Sequence, residues 1–175
     1  MEIIIRDHKN QINLHREMKR IIHQELEHFV GKQNYQKIKK VKINCFYRWV
    51  KALTRDNDEK NKDFELWDEK SGLVTLWLAP EWLDCNRNIR YGMRHEMVHL
   101  KDVMDNNLII LSRKPFKAKY RETKNKPYKI YTKVYKKKVL DEKYEQGWDA
   151  YVDYLAQFFP WERQAHHVPL QKELK

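Results

Sequence analysis

Residues Asn88 to Met104 read NIRYGMRHEMVHLKDVM, and this stretch decides how the rest of the chain is organised. Ile89, Met93, Met97, Val98, Leu100 and Val103 recur at three- and four-residue steps, with no proline and no glycine after Gly92. An amphipathic helix is expected, with Asp84 as an adequate N-cap. Within it His95-Glu96-Met97-Val98-His99 has the pattern H-E-x-x-H. Histidines four apart on a helix stand one turn above another on one face, where both imidazoles can bind a single cation. Given the 8 His and the Glu content of the 175 residues, the pattern arises by accident with a probability of about 3%, so its place inside a periodic helix points to metal.

The chemistry such a site needs is specific. A catalytic zinc ion takes three protein ligands and keeps a fourth position open, and His95 and His99 supply two of the three. Zinc lowers the pKa of bound water towards about 7, so Glu96, beside the pair, is placed to take the water proton and hand it to a leaving amine. Asp102 falls three residues past His99 and seven past His95, on the same helical face. It reads either as a carboxylate that orients a ligand imidazole or as a solvated helix charge.

Upstream, Ile12, Leu14, Met18, Ile21, Ile22, Leu26 and Phe29 mark a second amphipathic helix over Gln11 to Val30, ended by Gly31. Its histidines His15, His23 and His28 have no carboxylate at ligand spacing and are expected to be solvated or packed. Lys40 to Trp49 alternates as a half-buried strand does, and Thr54 to Lys62 is a charged turn or loop. Phe64 to Trp67 and Gly72 to Ala79, joined through Glu69, Lys70 and Ser71, form a hairpin closed by Pro80. Helix, three strands, helix is the order of an α+β domain with a mostly antiparallel or mixed sheet.

Downstream, Arg113 to Lys138 holds twelve Lys or Arg against one acid, Glu122, with Phe116, Tyr120, Tyr128, Tyr131 and Tyr135 between them. Pro115 and Pro127 interrupt it, and it is expected to be an irregular basic, aromatic insertion. It is either an exposed charged loop or a surface that tracks phosphates and stacks on unpaired bases. Tyr144 to Phe159 is aromatic and weakly helical, and Pro160 opens a new helix as PWERQAHH, with the tail from Val168 frayed.

The totals set bounds. A length of 175 residues suits one domain spanning 1–175, and a 41% hydrophobic fraction with six Trp, ten Tyr and six Phe excludes a disordered chain. A net charge of +11 favours an acidic partner or serves solubility. Cys45 and Cys85 alone make no disulfide framework. Neither a signal peptide nor a membrane span is recognisable, so a cytoplasmic protein without a membrane partner is expected.

A helix, a small sheet, an H-E-x-x-H helix and a later helix bearing a carboxylate resemble the zincin metallopeptidases, over residues 12–104 and 160–167. PWERQAHH resembles the E-x-x-A motif of compact gluzincin-like peptidases of bacteria and phages. The resemblance implies a zinc cofactor, Glu162 as third ligand, hydrolysis of a protein or peptide substrate, and pairing of an extended substrate with the strand Leu73 to Ala79. Asp105 stands where metzincins place a ligand, but Asp102 replaces the glycine that signature requires. Glu145, Asp149 and His166 are further alternatives for the third ligand. Tyr144, Tyr151, Tyr154, His166 and His167 are candidates for stabilising an oxyanion. The basic charge is similar in outline to zincins of the SprT type, which act on DNA-attached proteins. Two rivals stay open: a basic nucleic-acid-binding module without metal, and a protease with one regulatory target.

Overall fold

The computed structural model describes residues 1–7, 11–45, 66–78, 83, 85–113, 116–132 and 136–171. The expected N-cap Asp84, the loop Thr54 to Lys62, residues 46–49 of the first expected strand, and Ala79 and Pro80 lie outside them. The chain is α+β and falls into two compact units, Met1–Met104 and Asp105–Lys175.

In the first unit, strand β1 (Glu2–Asp7) leads to helix α1 (Ile12–Val30), the short helix α2 (Lys32–Tyr35), strands β2 (Lys40–Cys45), β3 (Trp67–Asp68) and β4 (Leu73–Trp77), and helix α3 (Asn86–Met104). The sheet order is β1-β2-β4-β3, with β1, β2 and β4 parallel and β3 antiparallel to β4. The sheet is therefore mixed, and the parallel neighbours β1 and β2 are joined through α1 and α2, the long crossover that a parallel pair requires.

Strand alternation puts Val41, Ile43 and Cys45 on one face, in register with Val74 and Leu76 of β4. All five are buried. Met18, Ile21, Ile22 and Leu26 of α1 and Ile89, Met93, Met97 and Leu100 of α3 are fully buried as well. Met18 meets Cys45 with its sulfur 3.9 Å away, which places α1 on that face. Each such side chain contributes about 1.5–3 kcal/mol of transfer free energy. The hydrophobic pattern thus fixes both helices against the sheet, and α3 packs on α1, β3 and β4.

The β3–β4 hairpin turns through Gly72 at φ +66, a left-handed conformation that L side chains rarely adopt. A Cβ there would stand 2.9 Å from the Lys37 carbonyl oxygen. The close approach lets the Gly72 carbonyl accept from the backbone N–H groups of Lys39 and Lys40, at 2.9 and 3.1 Å, and so joins β4 to the start of β2.

The strand Leu73 to Ala79 was expected to pair with an extended substrate. Instead β2 flanks it on one side, and on the other β3 pairs with Leu73 and Val74 while the Thr75 N–H donates to the Leu66 carbonyl. The start of β4 is an interior strand, because the hairpin return covers it.

The second unit holds a three-stranded antiparallel sheet, β5 (Leu108–Arg113), β6 (Phe116–Tyr120) and β7 (Lys129–Tyr131), followed by α4 (Lys137–Glu145), α5 (Trp148–Phe158) and α6 (Pro160–Gln171). The insertion expected to be irregular thus contains two strands, β6 and β7, joined by the irregular stretch 121–128. Alternation explains it: Ala118 and Tyr120 are buried on one face, while Lys117 and Lys119 take the other. Gly147 at φ +122 separates α4 from α5. Phe159, just before Pro160, is extended at φ −134 and ψ 79, as a residue preceding proline is disposed to be, and α6 starts afresh. That helix runs to Gln171, so the tail expected to fray from Val168 is helical for four more residues.

Candidate metal centre

His95 and His99 stand on α3 at 7% and 8% exposure, low for histidines on a helix that also packs a core. Their Nε2 atoms lie 3.0 Å apart, with rings 87° to one another and centroids at 4.6 Å. The i, i+4 spacing produces this convergence, since both side chains lean over the same turn. Glu96, the next residue, is half-buried. Asp102 is 5% exposed, which removes the reading of a solvated helix charge.

Ion pairs from two arginines of α3 to α1 fix the turn that carries the histidines. Arg94 Nε donates to Glu25 Oε2 of α1 at 2.5 Å and its Nη2 to Oε1 at 3.2 Å, a two-bonded carboxylate pair. Arg90, one turn earlier, approaches Glu17 at 3.6 Å and Glu25 at 4.0 Å. The hydrogen bond from Arg20 holds the Glu17 carboxyl below its usual range, against a smaller opposing effect of burial.

In the second unit, Trp161, Glu162, Ala165 and His166 follow Pro160 on α6. Trp161 anchors the helix: its ring lies 5.5 Å from Tyr120, 5.6 Å from Tyr131 and 5.4 Å from Phe159. The Tyr120 hydroxyl also reaches Gln164 Oε1 at 3.3 Å. Ala165 is fully buried, so a small residue is needed three positions after the glutamate. His166 is 4% exposed and its Nε2 lies 3.7 Å from Glu162 Oε2.

One nitrogen each of His95 and His99 and one carboxylate oxygen of Glu162 lie within 4.8 Å of one another, so these three residues could hold a metal ion. Two imidazoles and a carboxylate are a donor set zinc accepts, and tetrahedral ligands at 2.0–2.1 Å from zinc stand roughly 3.3–3.4 Å apart, close to the histidine separation. Among the described residues, Asp105, Glu145, Asp149 and His166 do not belong to this group.

Of the oxyanion candidates, Tyr144 is 60% exposed and lies edge-on to Tyr151 at 5.4 Å, and Tyr154 packs likewise on Phe158 at 5.2 Å. His167 is exposed, whereas His166 is buried beside Glu162. Sequence reasoning undervalued that pairing, although the spacing of Glu162 and His166, four apart on one helix, was its signal.

Comparison with protein-family models, with curated proteins and with solved structures finds no match to this chain. Among the described residues, no helix is long and apolar enough to cross a membrane.

Proposed function

We propose that the chain is a zinc-dependent peptidase of the zincin type, with His95, His99 and Glu162 as ligands and Glu96 as the general base and acid. The observation that carries this reading is the approach of a carboxylate 63 positions beyond His99 to within 4.8 Å of an H-E-x-x-H histidine pair. A zinc ion bound there would supply Lewis acidity to water and to a peptide carbonyl. The remaining roles belong to the protein.

Glu96 accepts a proton from the attacking water at a carboxylate oxygen and returns it to the amide nitrogen as the C–N bond breaks. The burial of His95, His99 and Asp102 excludes bulk water from their turn of the helix and strengthens each polar interaction made there. Asp102 orients a ligand imidazole, and His166 holds the Glu162 carboxylate. The substrate is a protein or peptide taken in extended form, on backbone other than the stretch of β4 that β3 already occupies.

The test compares zinc content by plasma mass spectrometry with hydrolysis of labelled casein. Glu96→Gln keeps stoichiometric zinc and loses hydrolysis by at least about 100-fold, within the range of a positioned acid-base group. His95→Ala loses both zinc and hydrolysis. Retention of full zinc content by folded His95→Ala refutes the assignment.

A further inference from the structure

The outer face of the β5-β6-β7 sheet is built unlike an ordinary solvated surface. Lys117 and Lys119 of β6, and Arg121 just after it, occupy alternate positions, so their side chains project from one face at steps of roughly 6.6–6.8 Å, twice the strand rise. Residues 117–131 contain six Lys or Arg, and Glu122 is the one acid among them. Lys126 already holds Glu122 at 2.8 Å. Within this stretch, then, the one carboxylate is already paired with a lysine outside the row.

Its flanks are apolar. Lys119 lies between Ile109 of β5 and Ile130 of β7, and Ile130 is 62% exposed. Leu111, at the bulge between Ile110 and Ser112, is 48% exposed. Tyr128 carries Lys119 Nζ at 4.7 Å and the Arg121 guanidinium at 4.6 Å from its ring centre, and Arg121 Nε also donates to Asn107 Oδ1 at 3.1 Å. Cation–π contacts and this hydrogen bond hold two of the three cations in place before any ligand arrives.

We infer that this face binds single-stranded nucleic acid, with phosphates along the Lys117-Lys119-Arg121 row and unpaired bases lying over Ile130 and Leu111. The chemistry follows from where charge and apolar surface sit. A single strand is charged along its axis and presents flat apolar faces to either side, matching a central cationic strand with apolar flanks. An acidic peptide has the reverse layout, a neutral backbone axis with charge at the side-chain tips, and an extended peptide pairs with a sheet edge, not a sheet face. A duplex keeps its bases stacked inside and would leave Ile130 and Leu111 without a partner. The net charge of +11 adds long-range attraction for a polyanion. This inference uses residues of the second unit alone and does not depend on the metal reading.

The test is fluorescence anisotropy of the full chain with labelled oligothymidylate, across a salt series. Lys117→Glu/Lys119→Glu weakens binding by roughly tenfold or more and reduces the slope of log K against log salt by about 1.4. Lys32→Glu/Lys70→Glu, which changes net charge equally on exposed lysines of the first unit, shifts affinity by less than about threefold. Ile130→Ser/Leu111→Ser weakens binding by about threefold to tenfold and leaves the salt slope unchanged, because it removes contact with bases and no phosphate contact. Circular dichroism establishes that each variant is folded. The inference is overturned by absence of binding at low salt, by equal effects of the two lysine pairs, by preference for duplex DNA, or by equal affinity for polyglutamate.

Discussion

Arg94 of α3 grips Glu25 of α1 through two nitrogens, at 2.5 and 3.2 Å, one residue before the first histidine of the pair. Both side chains are mostly buried, at 12% and 17% exposure. The pair sets the rotation of α3 about its own axis and hence the direction in which His95 and His99 project. Glu25→Ala is expected to destabilise the protein by about 1–3 kcal/mol, the cost of leaving a partly buried guanidinium without its carboxylate. Urea denaturation of Glu25→Ala, Arg94→Ala and the double variant measures it, and additive losses would show that the two residues do not act as a pair.

Asp102 is buried on the same helix, one turn past His99. If it orients a ligand imidazole, Asp102→Ala lowers zinc affinity by about 10–100-fold. Competition with a chromogenic chelator reads that change directly. Unaltered affinity in a folded variant would leave Asp102 with a role in packing only.

Gly72 combines φ +66 with backbone 2.9 Å from where a Cβ would stand. Gly72→Ala is expected to cost about 1–3 kcal/mol, through strain at the turn and weakening of the β2–β4 ladder. A folded variant with wild-type urea midpoint would contradict this account of the hairpin.

The two cysteines should differ in reactivity. Burial pushes the Cys45 thiol up to about 12, with the Asp7 charge adding to the effect, while Cys85 is exposed. Iodoacetamide at pH 8 is expected to label Cys85 and to spare Cys45 until denaturant is added, as mass spectrometry of tryptic peptides would show. The pH dependence has a definite sign. A thiol whose folded pKa is raised stabilises the fold fully below its unfolded value, about 8.5, and that contribution declines as pH rises from there towards about 12. Cys45→Ala should flatten the decline.

The helices α1 and α3 were legible to within two residues because each carries a long apolar stripe at helical spacing. The hairpin of β3 and β4 was legible from its turn residues. β1 was not: Ile3, Ile4 and Ile5 form a continuous run with no alternation, and what makes them a strand is pairing with β2, 38 positions away. The sheet of the second unit escaped because charge dominated its composition and masked the alternation of the buried positions Ala118 and Tyr120. At the candidate site, the histidine pair and Glu96 could be read from one local motif. Glu162 needed the resemblance, since nothing in linear spacing relates it to His99. The burial of Asp102 and the neighbourhood of His166 and Glu162 depend on packing that no single segment encodes.

The parallel ladder of β1, β2 and β4 also bears on how the chain reaches its structure. Its register joins Ile3 to Val41 and Val41 to Val74, so two long loops must close before the first half gains its sheet. In the second half, Ile110 meets Ala118 and Ala118 meets Tyr131, across much shorter intervals. Since folding rate falls as contacts become more distant in sequence, the portion that leaves the ribosome first is the slower to close. Its apolar strands wait longest for their partners, and it is there that chaperones would have most to protect.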